Sequence, residues 1–240
     1  MRLSAFLPFL LPVLAQVDLT LSLVRAELTL LPGEAFALTL TLRNGLDREE
    51  GLSVRLTPFR LGQDGRPVET PLGGEVCARL RVTPSALTLP PRGSAEVRVE
   101  GVAPPGEGTL ACMVIFGASP RPGTLGGVRL SLRPEIGFAL YVTLKGTEKP
   151  FLRARVGGEG KELPILLENP GNVLQRLSGE ASVLDREGRP LLVLPLAELP
   201  LLPGGVREVR LAPEASLPPG RYRVVLLLES AYGRYAAEGV

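Results

Sequence analysis

Histidine and tryptophan are both absent from this 240-residue chain, which has only two cysteines and two methionines. Without histidine there is no Ser-His-Asp or Cys-His catalysis, and the commonest metal ligand is gone. Zinc would need both cysteines plus carboxylates, and their spacing does not suit it. Phosphate-binding GxxxxGK(S/T) loops, GxSxG elbows and EF-hand loops are missing as well. Aromatic residues make up 5% of the chain, too few for the platforms on which sugars stack. Acids do occur in the turns Asp64-Gly65 and Asp185-Arg186-Glu187-Gly188, where turn geometry explains them more simply than calcium does. No sign of charge dominates: 27 basic residues face 25 acidic ones, for a net charge of +2. A nucleic-acid or anionic-membrane partner therefore has no electrostatic footprint. No catalytic residue, metal ligand or cofactor site is selected, and the chain is not expected to be an enzyme.

What is present is β patterning. The hydrophobic fraction is 45%, and 28 glycines and 24 prolines separate short apolar runs. Leu19, Leu21 and Leu23 alternate with polar neighbours, as do Phe36, Leu38, Leu40 and Leu42. Val97 and Val99 do the same, and so do Val128, Leu130 and Leu132. A period of two marks strands with one face in a core and the other in water. Turn signals fall between these runs at Pro32-Gly33, Asn44-Gly45, Asp64-Gly65, Pro91-Arg92-Gly93 and Pro105-Gly106. Regular short strands punctuated in this way predict a sandwich.

The first residues read as a signal peptide. Met1-Arg2 is positive, residues 3 to 14 are apolar apart from Ser4, and Val13-Leu14-Ala15 suits cleavage before Gln16. A membrane anchor would need ~20 apolar residues, and Pro8 and Pro12 oppose a stable helix. The mature protein is thus expected in the periplasm or outside the cell, without stable membrane insertion. Export would place Cys77 and Cys112 in oxidising surroundings, where a pair tends to close. A bridge would enclose 35 residues, for which the chain-entropy model gives roughly 3–4 kcal/mol. The alternative is two buried thiols packing as small hydrophobes.

The strand pattern restarts after the polar stretch 145–150. We expect residues 16–144 and 151–240 to be separate immunoglobulin-like β-sandwich domains in tandem, joined by that linker, in an all-β protein. Both halves share a small grammar. A Pro-Gly turn precedes a strand, and a second Pro-Gly turn precedes the next: 89–93 then 104–106 in the first half, 202–205 then 218–220 in the second. These strands read as E and F of two related sandwiches. Tyr222 falls where a tyrosine-corner hydroxyl would tie the loop to the sheet.

Several stretches taken in order resemble the PapD-like periplasmic chaperones of pilus assembly. Leu21 to Leu28 (LSLVRAEL) is similar to the family's first strand, with Arg25 at the place of an arginine that reaches the cleft between domains. Val82 to Val99 resembles its P-x-x-x-x-L-x-P stretch. Val128 to Val142 resembles the last strand of the first domain and the run into the linker. Leu167-Glu168-Asn169-Pro170 and Ser230-Ala231-Tyr232-Gly233 match the N-P turn and terminal hairpin of the second. The resemblance implies that an exported pilus or surface subunit is bound by β-strand addition. Val128, Leu130 and Leu132 would fill the subunit's groove beside a mobile loop at 117–127, and Arg25 would take the subunit's terminal carboxylate. Alternation by itself reads those three residues as facing the domain's own core. The family's cleft lysine has no counterpart: Gly137 stands at the matching place, and Arg133 is a basic residue several positions earlier. A structural or adhesive surface protein using its sandwiches as spacers is the alternative function.

Overall fold

The computed structural model describes residues 18–71, 74–125, 128–157, 162–213 and 217–240. The expected signal peptide and its cleavage site lie outside them. Regular structure among these residues is β, apart from a 3-10 turn at Cys77–Arg79. The first half contains β1 (Leu19–Leu21), β2 (Arg25–Leu30), β3 (Ala35–Asn44), β4 (Glu50–Leu61), β5 (Pro67–Glu69) and β6 (Leu80–Thr83). It continues with β7 (Ala86–Leu89), β8 (Ser94–Val102), β9 (Gly108–Ala118), β10 (Arg121–Leu125), β11 (Val128–Leu132) and β12 (Glu135–Leu144). The second half contains β13 (Arg153–Val156), β14 (Leu163–Glu168), β15 (Gln175–Leu184), β16 (Pro190–Leu201), β17 (Val206–Leu211), β18 (Arg223–Ser230) and β19 (Gly233–Gly239).

Each half is a two-sheet sandwich. In the first, a sheet ordered β1-β3-β8-β6 faces a sheet ordered β2-β12-β9-β4-β5, with β7 also paired to β4. In the second, β13-β14-β17 faces β16-β15-β18-β19. Alternation works as expected on β8, where Val97 and Val99 are buried and Glu96 and Arg98 exposed. The cores are separate, one built around Leu40, Val99, Phe116 and Phe138, the other around Ile165, Leu177, Leu201 and Leu226. A small apolar cluster of Phe59, Tyr141, Leu174 and Leu202 joins the halves. It explains why β12 is buried on both faces at Tyr141–Leu144, where alternation ceases. Cys77 and Cys112 form a disulfide, with Cα atoms 5.4 Å apart, that ties the 3-10 turn to β9. No helix among the described residues is long and apolar enough to cross a membrane.

The shared grammar has a structural basis. β8 and β17 pair with β3 and β14, while β9 and β18 lie centrally in the opposite sheets. A buried asparagine follows or ends the partner strand in each half. The Asn44 amide donates to the carbonyls of Arg48 and Pro90, and that of Asn169 to those of Val173 and Leu201. Their backbone N–H groups donate to Gly93 and Gly205 respectively. The Tyr222 hydroxyl donates to the Pro218 carbonyl at 2.7 Å, closing the expected corner.

One expectation is corrected. The Gly- and Pro-rich stretch 117–127 is mostly strand where it is described, with Ser119 and Pro120 as a short connection. It completes β9 and forms β10, which pairs with β11 from Arg121↔Leu132 to Leu125↔Val128. Pairing to a partner strand offsets the poor strand propensity of glycine and proline. Gly123 leaves the room that Leu132 fills, since a Cβ there would meet Leu132 Cδ1 at 2.9 Å.

Candidate functional site

β10 and β11 form a two-stranded arm that extends the β9–β12 hairpin. Nothing covers its apolar side among the described residues. Val128, Leu130 and Leu132 are 60%, 36% and 41% exposed, and every residue of β11 is exposed. The alternation of β11 therefore does not mark a face turned to this domain's core. Among the described residues β11 pairs only with β10, so its other edge keeps free backbone donors and acceptors there.

The arm is held at its base. Arg121 pairs with the buried Glu50 at the start of β4. A buried carboxylate needs such a partner, because an uncompensated buried charge is costly. Arg133 donates to Ser53 Oγ at 3.1 Å and lies 3.7 Å from Glu135. It thus serves the arm's base, beyond Glu135 from Arg25. An open groove of about 690 Å³ runs beside this base, with Ser53, Thr88, Ser119 and Arg133 among its walls.

The open edge continues into β12 and then stops. β12 is bonded to β9 along its length, but β2 pairs with it only from Ala139↔Arg25 onward. Val24 O accepts from Ala139 N at 3.0 Å, closing the edge there. Glu135 to Phe138 consequently have a sheet partner on one side only. Arg25, the first residue of β2, stands beside Ala139 where the open edge ends, roughly 20 Å beyond Leu132 along the β11–β12 run. Val128, Leu130 and Leu132 thus lie on the open strand, and Arg25 lies on the strand that closes it. Gly137 lies within the open stretch. A Cβ there would meet Met113 Sδ at 3.0 Å, so a longer side chain would have to displace a flexible methionine end.

Two charge clusters flank this edge. In one, Arg55 of β4 reaches Glu69 at 2.7 Å and Glu135 at 3.1 Å. Hydrogen bonds first to Glu69 and then to Glu135 raise its pKa above the ordinary guanidinium value. In the other, two arginines and two glutamates meet across the halves. Glu27 lies 3.7 Å from Arg25 and 2.5 Å from Arg176. Glu198 lies 3.6 Å from Arg25 and 3.4 Å from Arg176. Arg176 also sits over the Tyr141 ring, 6.0 Å from its centroid. Burial pushes the Tyr141 hydroxyl above its usual pKa. Nothing local in the sequence marks Arg55, Arg176 or Glu198. Glu27 and Arg176 are 149 positions apart, and no local pattern links them.

The fold is that of the fimbrial chaperones, two immunoglobulin-like sandwiches in tandem. The class 5 fimbriae chaperone CfaA superposes with a TM-score of 0.53 at 13% identity, covering 93% of this chain and 99% of that one. A chain from the chaperone–tip adhesin complex of CFA/I fimbriae gives 0.51 at 12% identity, covering 93% and 99%. The likeness is one of fold. No family model matches the chain, and no curated protein matches it in sequence.

Proposed function

We propose that this protein is an exported, non-enzymatic chaperone-like protein that binds an extracytoplasmic subunit by β-strand addition. The incoming strand pairs with the free edge of β11 and with Glu135 to Phe138, and Val128, Leu130 and Leu132 fill its partner's groove. The observation that carries this reading is the exposed apolar row of β11 on a strand with one unpaired edge. An edge of this kind is an aggregation hazard that proteins ordinarily blunt, so keeping it open is consistent with use. The end of the edge argues for direction. A strand running parallel to β12 meets β2 at Val24 and Arg25 and can go no further. If the chain ends there, its carboxylate faces a guanidinium that can take it bidentately. The closed disulfide and the largely apolar run 3–14 behind Arg2 agree with a periplasmic site. The fold comparison supports the subunit class, because one matching chain comes from a complex with a tip adhesin.

Two substitutions test the reading against a synthetic peptide of alternating valine and threonine with a free C-terminal carboxylate. Leu130→Asp puts a charge into the apolar row and is expected to weaken binding at least tenfold, given ~1.5–3 kcal/mol for burying one leucine. Arg25→Ala is expected to abolish the preference for the free carboxylate over the amidated peptide. Unchanged affinity in both variants, measured by fluorescence anisotropy, would sink the proposal.

A further inference from the structure

The cleft cluster contains more acid than a vacant carboxylate site needs, and its two glutamates are not held alike. Glu27 is committed, since its 2.5 Å contact is to Arg176, a mostly buried side chain fixed over Tyr141. Glu198 is loosely held. Its contacts are 3.4 and 3.6 Å, and its side chain is 53% exposed. Arg25 is loosely held too: both of its ion-pair distances, 3.6 and 3.7 Å, exceed hydrogen-bond reach. Its planar fork of donors is therefore neutralised in charge but open in hydrogen bonding. A single Glu198 oxygen faces both guanidiniums from the edge strand β16.

We propose that Glu198 is a built-in occupant of the carboxylate site: an incoming carboxylate binds between Arg25 and Arg176 by displacing it. This rests on the reading of Arg25 given above and adds a second arginine and an internal competitor. Arg176 supplies the second positive charge at a cleft where β12 offers only Gly137. Glu198 keeps the pair neutralised when no ligand is present, and it lowers affinity for any carboxylate by the free energy of its own displacement. Chains without a free terminus at this point gain nothing from the exchange, so the device favours chain ends over strands that continue.

Sodium acetate is the probe, which makes the test independent of strand addition. The side-chain Nε–H resonance of Arg25 is followed by nitrogen-15 NMR as acetate replaces chloride at constant ionic strength. Glu198→Gln is expected to lower the acetate midpoint about three- to fivefold, the scale of a partly exposed ion pair. Its melting temperature should match that of the parent, since the side chain lies outside the core. Equal midpoints, or a higher one in the variant, would overturn the proposal. Failure of the two readings can be told apart. A lowered acetate midpoint with no strand peptide binding defeats strand addition alone. Peptide binding with equal acetate midpoints defeats the role of Glu198 alone.

Discussion

Asn44 and Asn169 show how much a single side chain can hide at the end of a strand. Each is fully or almost fully buried, and each ties the loop before the E strand to the end of the strand it pairs with. In the sequence both read as turn residues, because Asn-Gly and Asn-Pro are turn dipeptides. Their burial comes from a loop some thirty to forty-five positions away, which no local pattern announces. Tyr222 was legible because its role depends on a partner four residues back. At Asn169 a strong consequence follows. Asn169→Ala leaves the carbonyls of Val173 and Leu201 without their donor, and a buried unpaired polar group costs about 1–3 kcal/mol. Calorimetry is expected to show the variant melting several degrees lower, with the second sandwich losing stability.

Strands were the most legible level, and β11 marks the limit of that legibility. Its period of two is as regular as that of β8, yet β8 lines a core and β11 lies exposed among the described residues. Periodicity reports that two faces differ, not what covers the apolar one. The arm's other strand was missed because Gly117 to Gly127 is rich in turn formers. The second sandwich manages its own edge differently. β16 carries Pro190, Pro195 and Pro200 along its length, which removes donors from a strand paired on one side only. β11 has no proline, and this contrast between edges matches an arm built for use. The arm adds no residue to either core. Replacing residues 119–133 by a short turn, with Glu50→Gln to avoid a lone buried charge, is expected to leave the melting temperature within a few degrees of the parent. Peptide binding should be lost in the same variant. Loss of folding in circular dichroism would mean that the arm is structural.

At the scale of the whole molecule, the two sandwiches meet through polar contacts as well as the Phe59, Tyr141, Leu174 and Leu202 cluster. Thr109 N donates to Asn172 O at 2.7 Å, and Leu174 N donates to Thr109 Oγ1 at 2.9 Å. Asn172 also bonds to Thr147 and Lys149, fastening the polar stretch expected as a linker. The Arg25, Glu27, Arg176 and Glu198 cluster forms only because this seam brings β2 beside β15 and β16. The tandem of sandwiches could be read from turns and period alone. The seam could not, since its partners are distant in sequence and each side reads as ordinary surface. In the proposed function, the open edge of β11 and early β12 receives a strand that ends at Arg25. Hydrogen exchange with and without the valine–threonine peptide bearing a free carboxylate decides whether it does. Protection of residues 128–132 and 135–138, with little change along β16 and β19, is the predicted result. Unchanged exchange at 128–132, or protection confined to the second sandwich, would contradict it.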